Sequence, residues 1–280
     1  MSSSTLVRAL ALSCHPIPSL AVTALTAGLA ALASLPPGRG LLVTAAVFAG
    51  QLSIGWSNDY IDAERDRAVH RSDKPVASRL AAPRIAGIVG IAALVALILT
   101  VALSAALSWP GGAAVLVITA CGGAYNLGLK ATALSWLPYA IAFGMLPAVA
   151  TLAASPPRWP APWALTAGAL LGVAAHLANV LPDLRGDAAT GVRGLAHRLG
   201  AKATALAGAV ILLAASAVIL FGPGGETGWW RWSGFVAALL VAGTAATSAY
   251  RDPSSPRFFR ATILIAAMDL AFFALSRTSL

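Results

Sequence analysis

Residues 41–67 read Leu-Leu-Val-Thr-Ala-Ala-Val-Phe-Ala-Gly-Gln-Leu-Ser-Ile-Gly-Trp-Ser-Asn-Asp-Tyr-Ile-Asp-Ala-Glu-Arg-Asp-Arg. The run up to Asn58 carries no charge and is long enough, at about 1.5 Å per residue, to cross most of a bilayer's roughly 30 Å of hydrocarbon. Four acids and two arginines then arrive within nine residues. On a helix Asn58, Asp62 and Asp66 stand at i, i+4 and i+8, with Asp59 three residues before Asp62, so their oxygens project from neighbouring positions on one face. Like charges packed so closely repel unless a cation lies among them, and an all-oxygen donor set favours Mg²⁺. A solvated helix end would explain one such cluster.

A second copy argues against that explanation. Asn179-Val-Leu-Pro-Asp183-Leu-Arg-Gly-Asp187 repeats the Asn-x₃-Asp-x₃-Asp spacing, again at the end of an apolar run. The chain has only three asparagines, and two of them head these motifs. Asn58, Asp59, Asp62, Asp66, Asn179, Asp183 and Asp187 are therefore the candidate metal ligands, with Asp59 the secondary one because the second motif lacks its counterpart.

The rest of the chain resembles the run before Asn58. Its 280 residues are 58% hydrophobic and 10% charged, with a mean hydropathy of +0.80, which excludes an ordinary soluble domain. Apolar runs predict nine spans near 17–35, 41–58, 82–107, 112–128, 132–154, 162–182, 202–221, 229–249 and 258–277. The expected fold is an all-α polytopic membrane protein, a single domain over 1–280. Its nine transmembrane helices would form a bundle around a central cavity, as two four-helix halves plus one. The acidic motifs fall at the ends of spans 2 and 6, matching places in the two halves. The net charge of +9 is spread by loop: fifteen of nineteen Lys and Arg lie on the side holding the N-terminus. The positive-inside rule then puts the N-terminus and both motifs on the cytoplasmic side and the C-terminus outside. The charge thus reports topology, with membrane lipids as the neighbours and no nucleic acid as partner. Cys14 and Cys121 have no metal-ligand spacing and read as small buried hydrophobes.

Basic residues adjoin the first motif: Arg65, Arg67, Arg71 and Lys74, the last braced by Pro75. Arginine forks and an ammonium beside a metal site are what a diphosphate requires. Lys130 is the one charge in its short loop and by itself reads as a snorkelling anchor. Trp136, Tyr139 and Phe143 form an aromatic stripe suited to packing or to facing a carbocation. His15 either faces a cytoplasmic pocket or caps the start of span 1, and the capping role is preferred. His176 either lines the cavity or packs as a satisfied polar group, and Asp269 is an isolated intramembrane acid that requires a partner.

These motifs resemble those of the UbiA-type intramembrane prenyltransferases. Asn58, Asp59, Asp62 and Asp66 match the family's Asn-Asp-x₂-Asp-x₃-Asp signature, and Asp183 with Asp187 its second Asp-x₃-Asp. Tyr125 and Lys130 match a Tyr-x₄-Lys, and Arg71, Lys74 and Pro75 a basic stretch. Ala131 stands where many members carry arginine, and Arg79 where a small glycine is usual. The resemblance implies transfer of a prenyl group from an isoprenoid diphosphate to a lipophilic, often aromatic, acceptor with Mg²⁺ as cofactor. It implies catalytic roles for Asp62, Asp66, Asp183, Asp187, Lys130 and Tyr125, and diphosphate contacts from Arg71, Lys74 and Lys130 beside Arg65 and Arg67. A relative that cyclises an allylic diphosphate without an acceptor is the alternative. A membrane transporter is the remote one, since an odd number of spans with acids at helix ends suits it poorly.

Overall fold

In a computed structural model, residues 3–68, 74–77, 82–224 and 228–275 are described, and they fold entirely into helices and turns. In chain order these are α1 (Ser3–Ser13), α2 (Pro16–Leu32), α3 (Pro37–Ala68), α4 (Ala82–Ala105), α5 (Trp109–Asn126), α6 (Leu137–Leu152), α7 (Pro162–Val180), the short α8 (Leu184–Ala189) and α9 (Leu195–Leu199), α10 (Ala201–Phe221), α11 (Trp229–Arg251) and α12 (Arg257–Leu275). Each expected apolar run coincides with one of the longer helices. Six are long and apolar enough to cross a membrane, and a seventh is obtained if α1 and α2, bent by 60°, count as one span. α6 is apolar but only 16 residues long, about 24 Å at 1.5 Å per residue. The protein is an integral membrane protein. Prolines open α2, α3, α5 and α7 at their first two positions, where the missing N–H costs no helical bond.

Two apolar clusters hold the bundle. In one, Val43 and Val47 of α3 meet Val115 and Ile118 of α5 and Leu146 and Val149 of α6. In the other, Leu171 of α7 meets Leu212 of α10, Ala238 of α11 and Ile265 of α12. The isolated acid finds its partner between α10 and α12: the Ser216 hydroxyl donates to Asp269 Oδ2 at 2.7 Å, and both residues are buried. Ser216→Ala is expected to lower the midpoint of thermal unfolding in detergent, because a buried acid left without its donor costs about 1–3 kcal/mol. An unchanged midpoint would mean that Asp269 is satisfied otherwise.

α3 continues past its apolar run and through the first motif to Ala68 as 32 residues, a rod of about 48 Å, so the helical spacing read for Asn58, Asp62 and Asp66 holds. The second motif is not on one helix: α7 ends at Val180, Leu181–Asp183 forms a 3₁₀ turn, and Asp187 falls in α8. Pro182, with no N–H to donate, breaks the ladder there. The first residues, weakly polar in sequence, form α1, which lies against the end of α3. Ala9, Ala63, Val76, Ile85 and Val89 pack together there, and the Trp56 indole donates to the Leu10 carbonyl at 2.9 Å. The backbone at Cys14 passes so close to α3 that a Cβ on Gly55 would sit 2.6 Å from the Cys14 carbonyl oxygen. Glycine at 55 therefore sets how the α1–α2 bend drapes over the motif.

Candidate active site

The first motif is buried, unlike a solvated helix end. Asp59, Asp62 and Asp66 are 2, 4 and 5% exposed, while Glu64, on the other face of α3, is exposed. Carboxylates so removed from water need partners, and the partners are one cation of α3 itself and two brought from other segments. Lys130 Nζ lies 2.7 Å from Asp62 Oδ1 and 2.6 Å from Oδ2. Arg65, three residues along the helix, places Nη2 at 2.6 Å from the same Oδ2. Lys74 Nζ reaches Asp59 Oδ1 at 2.9 Å and lies 3.1 Å from Asp66 Oδ2. That second contact is an ion pair off the hydrogen-bonding direction, so Asp66 Oδ2 is a buried oxygen with no hydrogen-bond donor.

The two lysines feel this burial differently. Desolvation pushes the Lys130 ammonium below its ordinary pKa even though Asp62 opposes it. Lys74 suffers the same desolvation, but two carboxylates outweigh it and hold the pKa above the usual lysine value.

His15 also joins the site. It occupies the N-cap position of α2 with a left-handed φ of 51° and makes no side-chain cap bond. The capping role expected of it is thus not filled. Its Nε2 instead stands 3.0 Å from Asp59 Oδ1, aimed there by the same bend that packs on Gly55.

Asn126, given no role in the sequence reading, positions the head of the motif. It is buried, and its Nδ2 donates to the Ile54 carbonyl at 2.9 Å and the Ser57 hydroxyl at 3.0 Å. Its Oδ1 accepts from Asn58 Nδ2 at 3.1 Å, while Asn58 Nδ2 also approaches Asp62 Oδ2 at 3.3 Å. The available signal was rarity: Asn126 is the third of only three asparagines.

The second motif stands across the mouth. Tyr125, at the end of α5, lies within electrostatic reach of Asp62, Asp183 and Asp187 together, so the two motifs converge on it. Asp187 Oδ2 is 3.8 Å from His197 Nε2, and Asn179 Nδ2 is 3.5 Å from the Tyr139 hydroxyl. Asp183 and Asp187 are half-exposed, in contrast to the first motif. Arg67 turns along its own helix, its Nε donating to the Ala63 carbonyl at 3.0 Å. Arg71 lies outside the described residues.

Beneath this mouth is a cavity of about 370 Å³, within the usual range for a small-molecule site. All three asparagines, His15, Tyr125 and Tyr139 line it at the polar end, and α2, α6, α7 and α12 supply apolar walls. The Tyr125 and Tyr139 rings meet edge to face at 5.2 Å, and Tyr139 stacks on Phe143 at 6.2 Å. Trp136, the remaining member of the expected stripe, sits at the N-cap position of α6. His176 is not among the cavity-lining residues and packs instead, with Nε2 hydrogen-bonded and Nδ1 left without a partner. Its Nε2 is 3.0 Å from the Ser135 hydroxyl, which accepts from the Leu195 N–H at 2.9 Å, and its ring lies against Tyr125 and Tyr139.

Among the described residues no three carboxylate, imidazole or thiolate side chains are grouped so as to hold a metal ion. In this structure Lys74 bridges Asp59 and Asp66, and Lys130 and Arg65 both sit at Asp62. The donor set itself suits a hard divalent cation: buried carboxylate oxygens, an ordered carboxamide, and in Asp66 an oxygen with no donor.

Fold and site together define a membrane-embedded helical bundle with an acid-and-lysine mouth over an apolar chamber. The chain belongs to the UbiA prenyltransferase family, whose model matches residues 19–273. Solved structures share the fold. An apo UbiA homolog from Aeropyrum pernix K1 is 19% identical, with a TM-score of 0.70 over 91% of this chain and 97% of that one. A digeranylgeranylglyceryl phosphate synthase is 15% identical, with a TM-score of 0.68 over 97% and 98%. A UbiA homolog from Archaeoglobus fulgidus bound to GPP and Mg²⁺ is 13% identical, with a TM-score of 0.69 over 95% and 98%. No curated protein sequence matches the chain.

Proposed function

We propose that this protein transfers a prenyl group from an isoprenoid diphosphate to a lipophilic or aromatic acceptor within the membrane, with Mg²⁺. The observation that carries this reading is the buried aspartate–lysine network at the mouth of an apolar chamber. Diphosphate and hydrocarbon tail need those two environments in contact. Membership of the family supports it, as do the GPP and Mg²⁺ bound by the Archaeoglobus fulgidus homolog.

Asn58, Asp59, Asp62 and Asp66, with Asn179, Asp183 and Asp187, would hold Mg²⁺, whose charge stabilises the diphosphate as it departs. Lys74, Lys130 and Arg65 stand at the same carboxylates and would turn their donors to diphosphate oxygens. Charge on the leaving group grows as the carbon–oxygen bond breaks, so these cations favour departure over ground-state binding. Tyr125, Tyr139 and Phe143 would flank the allylic cation with ring faces, and the apolar walls would keep water from it. The single domain would span the membrane nine times, as two four-helix halves plus one. The N-terminus and the mouth would be cytoplasmic and the C-terminus outside, as the distribution of Lys and Arg supports. Donor and acceptor would enter laterally from lipid.

The test is diphosphate release by purified protein in nanodiscs, with prenyl diphosphates of graded length and with or without Mg²⁺. Release that requires Mg²⁺ and an allylic donor is expected. Inertness towards every donor, with acceptor lipids present, would end this reading, and a cyclised hydrocarbon formed without acceptor would replace transfer by cyclisation.

A further inference from the structure

α9 has only five residues, too few for a helix to hold itself in place, yet its surroundings fix it at three points. At its start the Leu195 N–H donates to the Ser135 hydroxyl at 2.9 Å, and a Cβ on Gly194 would lie 2.5 Å from the Lys130 carbonyl oxygen. The two backbones touch there, so the segment that carries Lys130 also seats α9. One turn on, the Ala196 carbonyl accepts from the Thr204 hydroxyl of α10 at 3.1 Å. Just before α9 the chain is tied to the second motif, where the Val192 N–H donates to the Asp187 carbonyl at 3.0 Å.

The side chain placed by this seating is His197. It is 7% exposed, and neither ring nitrogen has a hydrogen-bond partner. Two dry nitrogens cost stability, and native proteins seldom keep such groups without a use for them. Nε2 lies 3.8 Å from Asp187 Oδ2, about 0.9 Å beyond an ordinary N–H···O bond. Asp187 is half-exposed and has room to turn, whereas His197 is held.

We infer that His197 is a positioning residue for the second motif: its Nε2–H takes hold of the Asp187 carboxylate when Asp187 turns to Mg²⁺. This rests on the metal reading of the two motifs given above. A neutral imidazole has one N–H to give, and giving it to one carboxylate oxygen leaves the other directed at the ion. Catalytic hydrogen bonds are often long before the ligand arrives and tighten with it. Partners that orient a metal-binding carboxylate in this way are commonly worth about ten- to hundredfold in metal affinity. Because α9 is seated on the Lys130 backbone, the same frame would set the second motif's ligand and the first motif's ammonium in register.

The experiment titrates Mg²⁺ by calorimetry into protein in nanodiscs with inorganic diphosphate present, and reads Tm on the metal-free samples. His197→Leu should weaken Mg²⁺ binding about ten- to hundredfold. Its metal-free Tm should hold or rise, because hydrocarbon replaces two unpartnered nitrogens. His197→Gln, which keeps an N–H donor, should regain most of the affinity. In an Asp187→Ala background, His197→Leu should change the Mg²⁺ Kd by less than about twofold, since its effect passes through Asp187. A histidine that only packs would give the reverse: a lower Tm with an unchanged Kd in His197→Leu. That result, or an undiminished loss in the Asp187→Ala background, would overturn the inference. Native protein that binds no Mg²⁺ at all would instead overturn the metal reading itself, and the inference with it.

Discussion

Asp62→Asn is expected to reduce Mg²⁺-dependent diphosphate release by about a thousandfold or more, the upper range for removing one pre-organised electrostatic group. Asp62 is the hub of the mouth: both of its oxygens face Lys130, and Arg65 and Asn58 converge on Oδ2. Its neutral isostere keeps the shape but withdraws the charge that would bind Mg²⁺ and hold Lys130 at the mouth. Part of any loss could come from unfolding, because Lys130 would be left buried without its counter-charge, at about 3–5 kcal/mol. Asp183→Ala separates the two effects. Asp183 is less buried than Asp62, so this change should lower the Tm less while still abolishing release. Full activity in either variant would sink the two-motif mechanism.

Lys130→Gln should move two quantities in opposite directions. Lys130 is 8% exposed and paired with Asp62, so in the metal-free protein it holds a carboxylate that a divalent cation also requires. Removing it should tighten Mg²⁺ binding, by roughly three- to tenfold in Kd, because a competing positive charge has gone. Turnover should nevertheless fall about a hundredfold, since a donor aimed at the departing diphosphate has gone too. Mg²⁺ titration by calorimetry and diphosphate release on the same sample check both. If Lys130 were only a counterion for folding, Mg²⁺ affinity would rise with turnover unharmed.

Helix positions and the face of the first motif were legible because both depend on local pattern. Uncharged runs specify buried helices, and spacings of three and four place Asn58, Asp62 and Asp66 together on any α-helix. The second motif shares the spacing but not the continuous helix, and Pro182 was the readable sign of the break. Pairings across elements were not legible. Nothing in the local sequence ties His15 to Asp59 or Asn126 to Asn58, because those contacts depend on how α1, α2 and α5 dock on α3. Lys74 does lie beside the acids, yet the sequence could not disclose that it pairs with Asp59 and Asp66. Charge patterning sees that opposite charges are near, while docking decides which atoms meet.

The lysine–aspartate pairs also bear on the life of the protein between turnovers. Many metalloproteins unfold when stripped of metal because folding and ligation share one free energy. Here each buried carboxylate of the first motif already has an ammonium or guanidinium beside it from the chain itself. On the proposed function, folding and metal loading would thereby be uncoupled: scarcity of the ion would silence such a protein without condemning it, and resupply would restore it without new synthesis.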